Sequence, residues 1–144
     1  MNRAGLEKAY RQALYLAWLP DGELVLRVGP ADPQADRRLA GSGSCRRNWA
    51  LLTPCNPRSE RLDAAANQRL YNQLEGELHA LSQAWHRSLH RDPSGQWPDE
   101  PGFLLIDPPP ERAVELGRRY RQNAIVAAEL GQESRVVWLD DAAM

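Results

Sequence analysis

The chain has 144 residues, 42% of them apolar, with 18 basic against 19 acidic side chains and a net charge of −1. Length and composition argue against two independently folded halves and against bulk disorder, and they suffice for one core that needs no disulfide or structural metal. The near-neutral balance supplies no field to draw the chain to nucleic acid or an anionic membrane, so neither is expected as a partner. No apolar run approaches the ~18 residues of a membrane span, and the start through Leu6 and Glu7 lacks the apolar stretch of a signal peptide; a cytoplasmic location is expected. Cys45 and Cys55 fit no C-x-x-C pattern and are expected as reduced thiols.

Leu6, Ala9, Tyr10 and Ala13 recur at helical spacing, and the chain then turns apolar and aromatic from Leu14 to Leu19. The turn residues Pro20, Asp21 and Gly22 followed by Leu24, Leu26 and Val28 at period two predict a β-hairpin. A polar connection from Gly29 to Asn48 has room for a short helix between Gln34 and Ala40. Trp49 to Thr53 predicts a strand buried on both faces, ended by Pro54 and Pro57. Asp63 then serves as N-cap of a long helix from Ala64 to about Ala84, with a stripe of Leu70, Tyr71, Leu74, Leu78, Leu81 and Trp85. The stretch from His86 to Pro101 is polar and is expected as a connection. Phe103 to Ile106 predicts the next strand. The prolines at 108, 109 and 110 suit the first positions of a helix that turns Ala113, Val114, Leu116, Gly117 and Tyr120 inward. Ala124 to Ala128 and Arg135 to Leu139 predict two strands around a turn at Gly131.

These elements predict an α+β domain with a mixed β-sheet. It has an N-terminal β-hairpin, a central βαβαβ segment with right-handed crossovers and a parallel portion, a C-terminal antiparallel strand, and helices packed on the sheet. Residues 1–144 form a single domain with a tail that frays after about residue 140.

The hairpin from Tyr10 to Gly29, Thr53-x-x-Asn56-Pro57-x-Ser59, Asn67, Trp97-Pro98-x-Glu100-Pro101 and Gln122-Asn123-Ala124-Ile125, in that order, resemble a family of short bacterial proteins grouped as a domain of unknown function. The resemblance spans nearly the whole chain. It implies bacterial origin, a cytosolic single domain and polar positions at Asn56, Ser59, Asn67, Glu100, Gln122 and Asn123, and it brings no activity. The chain departs from the pattern at Pro54, Gly102 and Arg121, where a small residue, a serine and a glycine are expected, and over His86 to Arg91, where a glycine-containing turn is usual.

Thr53 to Ser59 lies where a buried strand ends before a helix, a place where α/β sheets bind ligands. Asn56 and Ser59 either contact such a ligand, with Arg58 supplying charge, or cap their own loop. Asn67 shares the helix stripe and needs partners, which the Asn56 loop can provide. Glu100 precedes a buried strand and is the candidate catalytic residue, a general base with a raised pKa, or else an arginine partner. Trp97 reads as a lid on the core. Asn123 suits a left-handed helix stop, and Gln122 can reach the same sheet edge as Asn56. His86 and His90 have the i, i+4 spacing of helical metal ligands, but no third ligand is evident, so no metal and no cofactor are implied. Arg46-Arg47 and the arginines from 118 to 121 read as solvated faces.

The leading functional reading is a domain that binds a small polar or anionic ligand through Asn56, Ser59, Asn67, Gln122 and Glu100. A hydrolase or transferase on the same pocket, with Glu100 as base and Ser59 or water as nucleophile, is the second reading. The third is an interaction module, including a homodimer, that uses the hairpin edge or the arginine-bearing helix.

Overall fold

The computed structural model describes residues 2–139 of the chain. The fraying expected after residue 140 lies outside the described residues. Helix α1 (Arg3–Gln12) starts at Asn2, whose side chain accepts from the Gly5 amide at 2.8 Å. Strands β1 (Leu14–Leu19) and β2 (Gly22–Leu26) form the predicted hairpin. The short helix α2 (Pro33–Ala40) is fastened to the hairpin turn by Arg38, which donates to the Asp21 carboxylate at 2.9 Å and to the carbonyls of Gly22 and Glu23.

Strand β3 (Asn48–Leu52) is followed by a 3-10 turn over Pro57–Ser59 and by helix α3 (Ala64–Ala80), capped by Asp63 as predicted. The helix ends before Ala84 because Ser82 takes a left-handed φ of 53°, which lets the Gln83 amide reach back to the Leu78 carbonyl. Serine in place of the usual glycine hides that stop. Trp85 consequently belongs to strand β4 (Trp85–Arg91) and not to the helix stripe.

Strand β5 (Glu100–Ile106), helix α4 (Arg112–Arg119), and strands β6 (Ala124–Glu129) and β7 (Arg135–Trp138) complete the order. The three prolines precede α4, and the Pro109 carbonyl accepts from the Arg112 amide at its start. Asp107 takes a left-handed φ of 50° at the end of β5, and its carboxylate accepts from the amides of Arg46, Arg47 and Asn48.

The described strands form one seven-stranded sheet in the order β2-β1-β4-β5-β3-β6-β7, and every pair is antiparallel. The α+β class holds, while the parallel portion and the mixed sheet expected from the sequence do not. Strands β5 and β6 do run the same way across α4, but β3 inserts between them and pairs with both. The segment read as a polar connection, His86 to Arg91, is the strand that joins β1 to β5. Its alternation is hard to read because its inward side chains, His86, Ser88 and His90, are themselves polar.

The sheet curls until its outer strands meet at Gly29 and Ser134. The Ser134 hydroxyl accepts from the Gly29 amide at 3.0 Å and donates to the Arg27 carbonyl at 3.0 Å. Curling separates two apolar clusters. Tyr15, Leu26, Leu39, Trp49, Leu51 and Leu104 fill the concave side, and Leu52, Leu74, Leu78, Phe103, Leu105 and Leu116 pack the convex side under α3 and α4. Trp18 and Val25 remain exposed on the outer face of the hairpin. No helix among the described residues is long and apolar enough to cross a membrane.

Candidate functional site

One end of the concave side opens into a cavity of about 570 Å³, within the ~300 to 1,000 Å³ usual for ligand sites. Its floor is a row of paired residues: Tyr15 on β1 faces His90 on β4, and His90 faces Glu100 on β5. Leu51 and Val126, cross-strand partners on β3 and β6, continue it. The face of α1 carrying Leu6, Ala9 and Tyr10 forms one wall, and the loops containing Asn56, Trp97 and Gln122 form the others.

Glu100 is partly buried, and its Oε2 accepts from Asn56 Nδ2 at 2.7 Å and from Trp97 Nε1 at 2.9 Å. Burial raises its carboxyl pKa above the ordinary value, and the two hydrogen bonds oppose that rise. Among the described residues no donor bonds Oε1. Asn56 is 4% exposed and holds a left-handed φ of 48°. Asn67 fixes it by accepting from the Asn56 amide and donating to the Asn56 side-chain oxygen, both at 2.9 Å. Asn67 does not line the cavity; its contribution is to clamp the residue that holds Glu100.

Gln122 is buried and donates through Nε2 to the carbonyls of Cys55 at 3.1 Å and Tyr120 at 3.2 Å. Asn123 donates to the Ser59 hydroxyl at 2.8 Å, joining the two loops across the cavity rim. The left-handed helix stop expected at Asn123 is instead Arg121, with φ 56°. Its carbonyl accepts from the Arg58 amide, which secures the same two loops from behind. Arg58 itself is exposed and lies outside the cavity lining, so it does not place its charge there. Left-handed Asn56, Arg58, Ser59 and Arg121 thus cluster beside the cavity, each conformation costing about 1 to 2 kcal/mol for a residue with a Cβ.

His90, Tyr10 and Tyr15 line the cavity without having been read as site residues. The signal of His90 was hidden by the misread β4 and that of Tyr15 by the apolar look of β1, while Tyr10 reads as part of the apolar face of α1. His90 Nε2 is covered and has no hydrogen-bond partner among the described residues, and burial lowers the imidazole pKa to about 3, so the ring is uncharged at neutral pH. The helical spacing inferred for His86 and His90 is not realised. Four residues along a strand span ~13 Å, too far for one ion, and His86 Nε2 lies 3.0 Å from the Gly43 carbonyl oxygen. Both cysteines are free and buried, and burial pushes each thiol up to about 11, which leaves Cys55 a poor nucleophile despite its place behind the cavity. Trp97 is half-buried, with the Arg61 guanidinium 4.7 Å from its ring centre.

The family described as Protein of unknown function (DUF3293) matches residues 52–125, just over half of the chain. The chain belongs to that family. The matched DUF3293 segment runs from the end of β3 into β6 and contains Asn56, Ser59, Asn67, Glu100, Gln122 and Asn123. The α1 wall and the β1–β2 hairpin precede it. No curated protein and no solved structure matches the chain.

Proposed function

We propose that the cavity beside Glu100 binds a small polar molecule. The observation that carries this reading is the Glu100 carboxylate, partly buried at the cavity wall with Oε2 accepting two hydrogen bonds and Oε1 bonded by no described residue. Glu100 is only partly buried, so Oε1 is open to the cavity and can accept from a ligand's donor. The clamp from Asn67 through Asn56 supports the same reading, since it holds the carboxylate in place ahead of any ligand.

Binding is favoured over a hydrolase or transferase by the surroundings of Ser59. Its hydroxyl accepts from the Asn123 amide, a group that cannot take a proton, and no base bonds it among the described residues. Self-association remains a separate reading. It rests on the exposed Trp18 and Val25, and sedimentation of the wild type against Trp18→Ser tests it.

A thermal-shift screen of amines, amides, sugars and carboxylates against the wild type and Asn56→Ala tests the proposal. At least one compound is expected to raise the wild-type midpoint and to lose that effect in the variant. A screen in which no compound moves the wild type overturns it.

A further inference from the structure

We infer that the ligand of this cavity carries a cationic nitrogen, an ammonium or amidinium group, on an apolar or aromatic body; the inference rests on the binding reading above. Its basis is the carboxylate of Glu100, which faces the cavity with Oε1 bonded by no described residue.

The hydroxyl donors of Tyr10, Tyr15 and Thr53 are engaged, while Asn56 and Asn123 each spend one of two amide hydrogens. The Tyr10 hydroxyl donates to the Ala124 carbonyl at 3.4 Å, the Tyr15 hydroxyl to the Tyr10 carbonyl at 3.3 Å, and the Thr53 hydroxyl to the Pro101 carbonyl at 2.8 Å. Asn56 and Trp97 donate to Glu100, and Gln122 directs both bonds of its amide nitrogen at backbone carbonyls. Asn123 donates to Ser59, whose hydroxyl can turn either way.

Acceptors are left over. Glu100 Oε1 and the Gln122 side-chain oxygen receive no bond from any described residue, and His90, being uncharged, keeps one donor and one acceptor nitrogen. An ionised carboxylate only accepts, so a ligand group that reaches Glu100 Oε1 must bring a donor.

Charge points the same way. Of the ionisable groups that line the cavity, Lys8, Arg91 and Asp92 sit at its rim, where Arg91 is paired with Asp99 at 3.1 Å and Asp92 accepts from Ser94 and from the Trp97 amide. Glu100 and His90 are the inner pair, and only the former carries charge at neutral pH once ionised. The last turn of α1, with Ala9, Tyr10 and Gln12, also lines the cavity, and a helix C-terminus favours a cation. The rings of Tyr10, Tyr15 and Trp97 present faces or edges suited to an apolar body beside a cation, and Arg61 over Trp97 already uses that attraction at the rim.

Three probes of one size and different charge decide the matter: benzylamine, benzyl alcohol and benzoate, titrated into the full chain. Binding is followed by the NMR signal of the Trp97 indole N–H, assigned with Trp97→Phe, and by thermal shift. Benzylamine is expected to bind at least tenfold more tightly than benzyl alcohol, with benzoate weakest, and the amine's advantage is expected to vanish in Glu100→Gln. Benzyl alcohol or benzoate binding as tightly as the amine overturns the cation inference while the cavity remains a binding site. If none of the three moves the Trp97 signal or the midpoint, the cation inference falls, and the wider screen decides the binding reading separately. Should Glu100→Gln not fold, the comparison of the three probes on the wild type still decides.

Discussion

His90 and Glu100 are direct cross-strand partners on β4 and β5, an uncharged imidazole beside a carboxylate, and no hydrogen bond joins their side chains. Asn56 and Trp97 hold the carboxylate through Oε2, and His90 Nε2 is covered without a partner among the described residues.

The two residues impose opposite pH dependences on folding. His90 has its pKa lowered from 6.5 to about 3, so between those values the unfolded chain holds the extra proton and stability falls as pH falls. Glu100 has its pKa raised above 4.5, so its contribution is present below that value and is lost as pH rises through the folded value. The other groups facing Glu100, Tyr10, Tyr15 and Cys55, have pKa values raised by burial and stay uncharged at neutral pH. In denaturant unfolding from pH 7 to 3, His90→Gln is expected to remove close to one proton of acid sensitivity. Glu100→Gln is expected to be at least as stable as the wild type at pH 7, and a clear loss there contradicts the assignment.

Asn67→Ala removes both bonds to Asn56. The Asn56 amide and side-chain oxygen then lose partners, at a cost of about 1 to 3 kcal/mol. Urea unfolding measures that loss, and a weaker affinity for any cavity ligand is expected with it although Asn67 does not line the cavity.

Gly102→Ala would place a methyl 2.6 Å from the Leu52 carbonyl oxygen, 3.1 Å from Ser88 Oγ and 3.2 Å from His90 Nε2. Backbone of β3 is the first obstacle, and it cannot rotate away as a side chain would. A loss of about 1 to 3 kcal/mol is expected, read as a lower urea midpoint. An unchanged midpoint would mean that β3 and β5 are more loosely held than their register implies.

Asp107→Ala strips the acceptor from the amides of Arg46, Arg47 and Asn48 at the entry to β3. Hydrogen exchange at these three amides is expected to accelerate, with a stability loss of about 1 to 3 kcal/mol.

Much of the fold was legible locally. The hairpin turn at Pro20 to Gly22, the Asp63 cap, the buried runs of β3 and β5 and the turn at Gly131 each carry their signal within a few residues. What failed was either disguised or non-local. Ser82 and Arg121 adopt left-handed conformations that a reader assigns to glycine or asparagine, and β4 turns polar side chains inward. Asn56, Ser59, Glu100, Gln122 and Asn123 could be singled out as polar residues beside apolar strands, and their meeting around one cavity follows from where those strands end.

The sequence by itself determined most of the helices and strands, β4 excepted, because propensity, periodicity and capping act over one or two turns of chain. Only the tertiary structure decided the strand order and what Tyr15, His90 and Glu100 share. Pairing partners are chosen by which apolar faces can be buried together, and that depends on the whole sheet. Insertion of β3 between β5 and β6, and of β4 between β1 and β5, sets the curl that opens the cavity and leaves one oxygen of Glu100 without a protein partner.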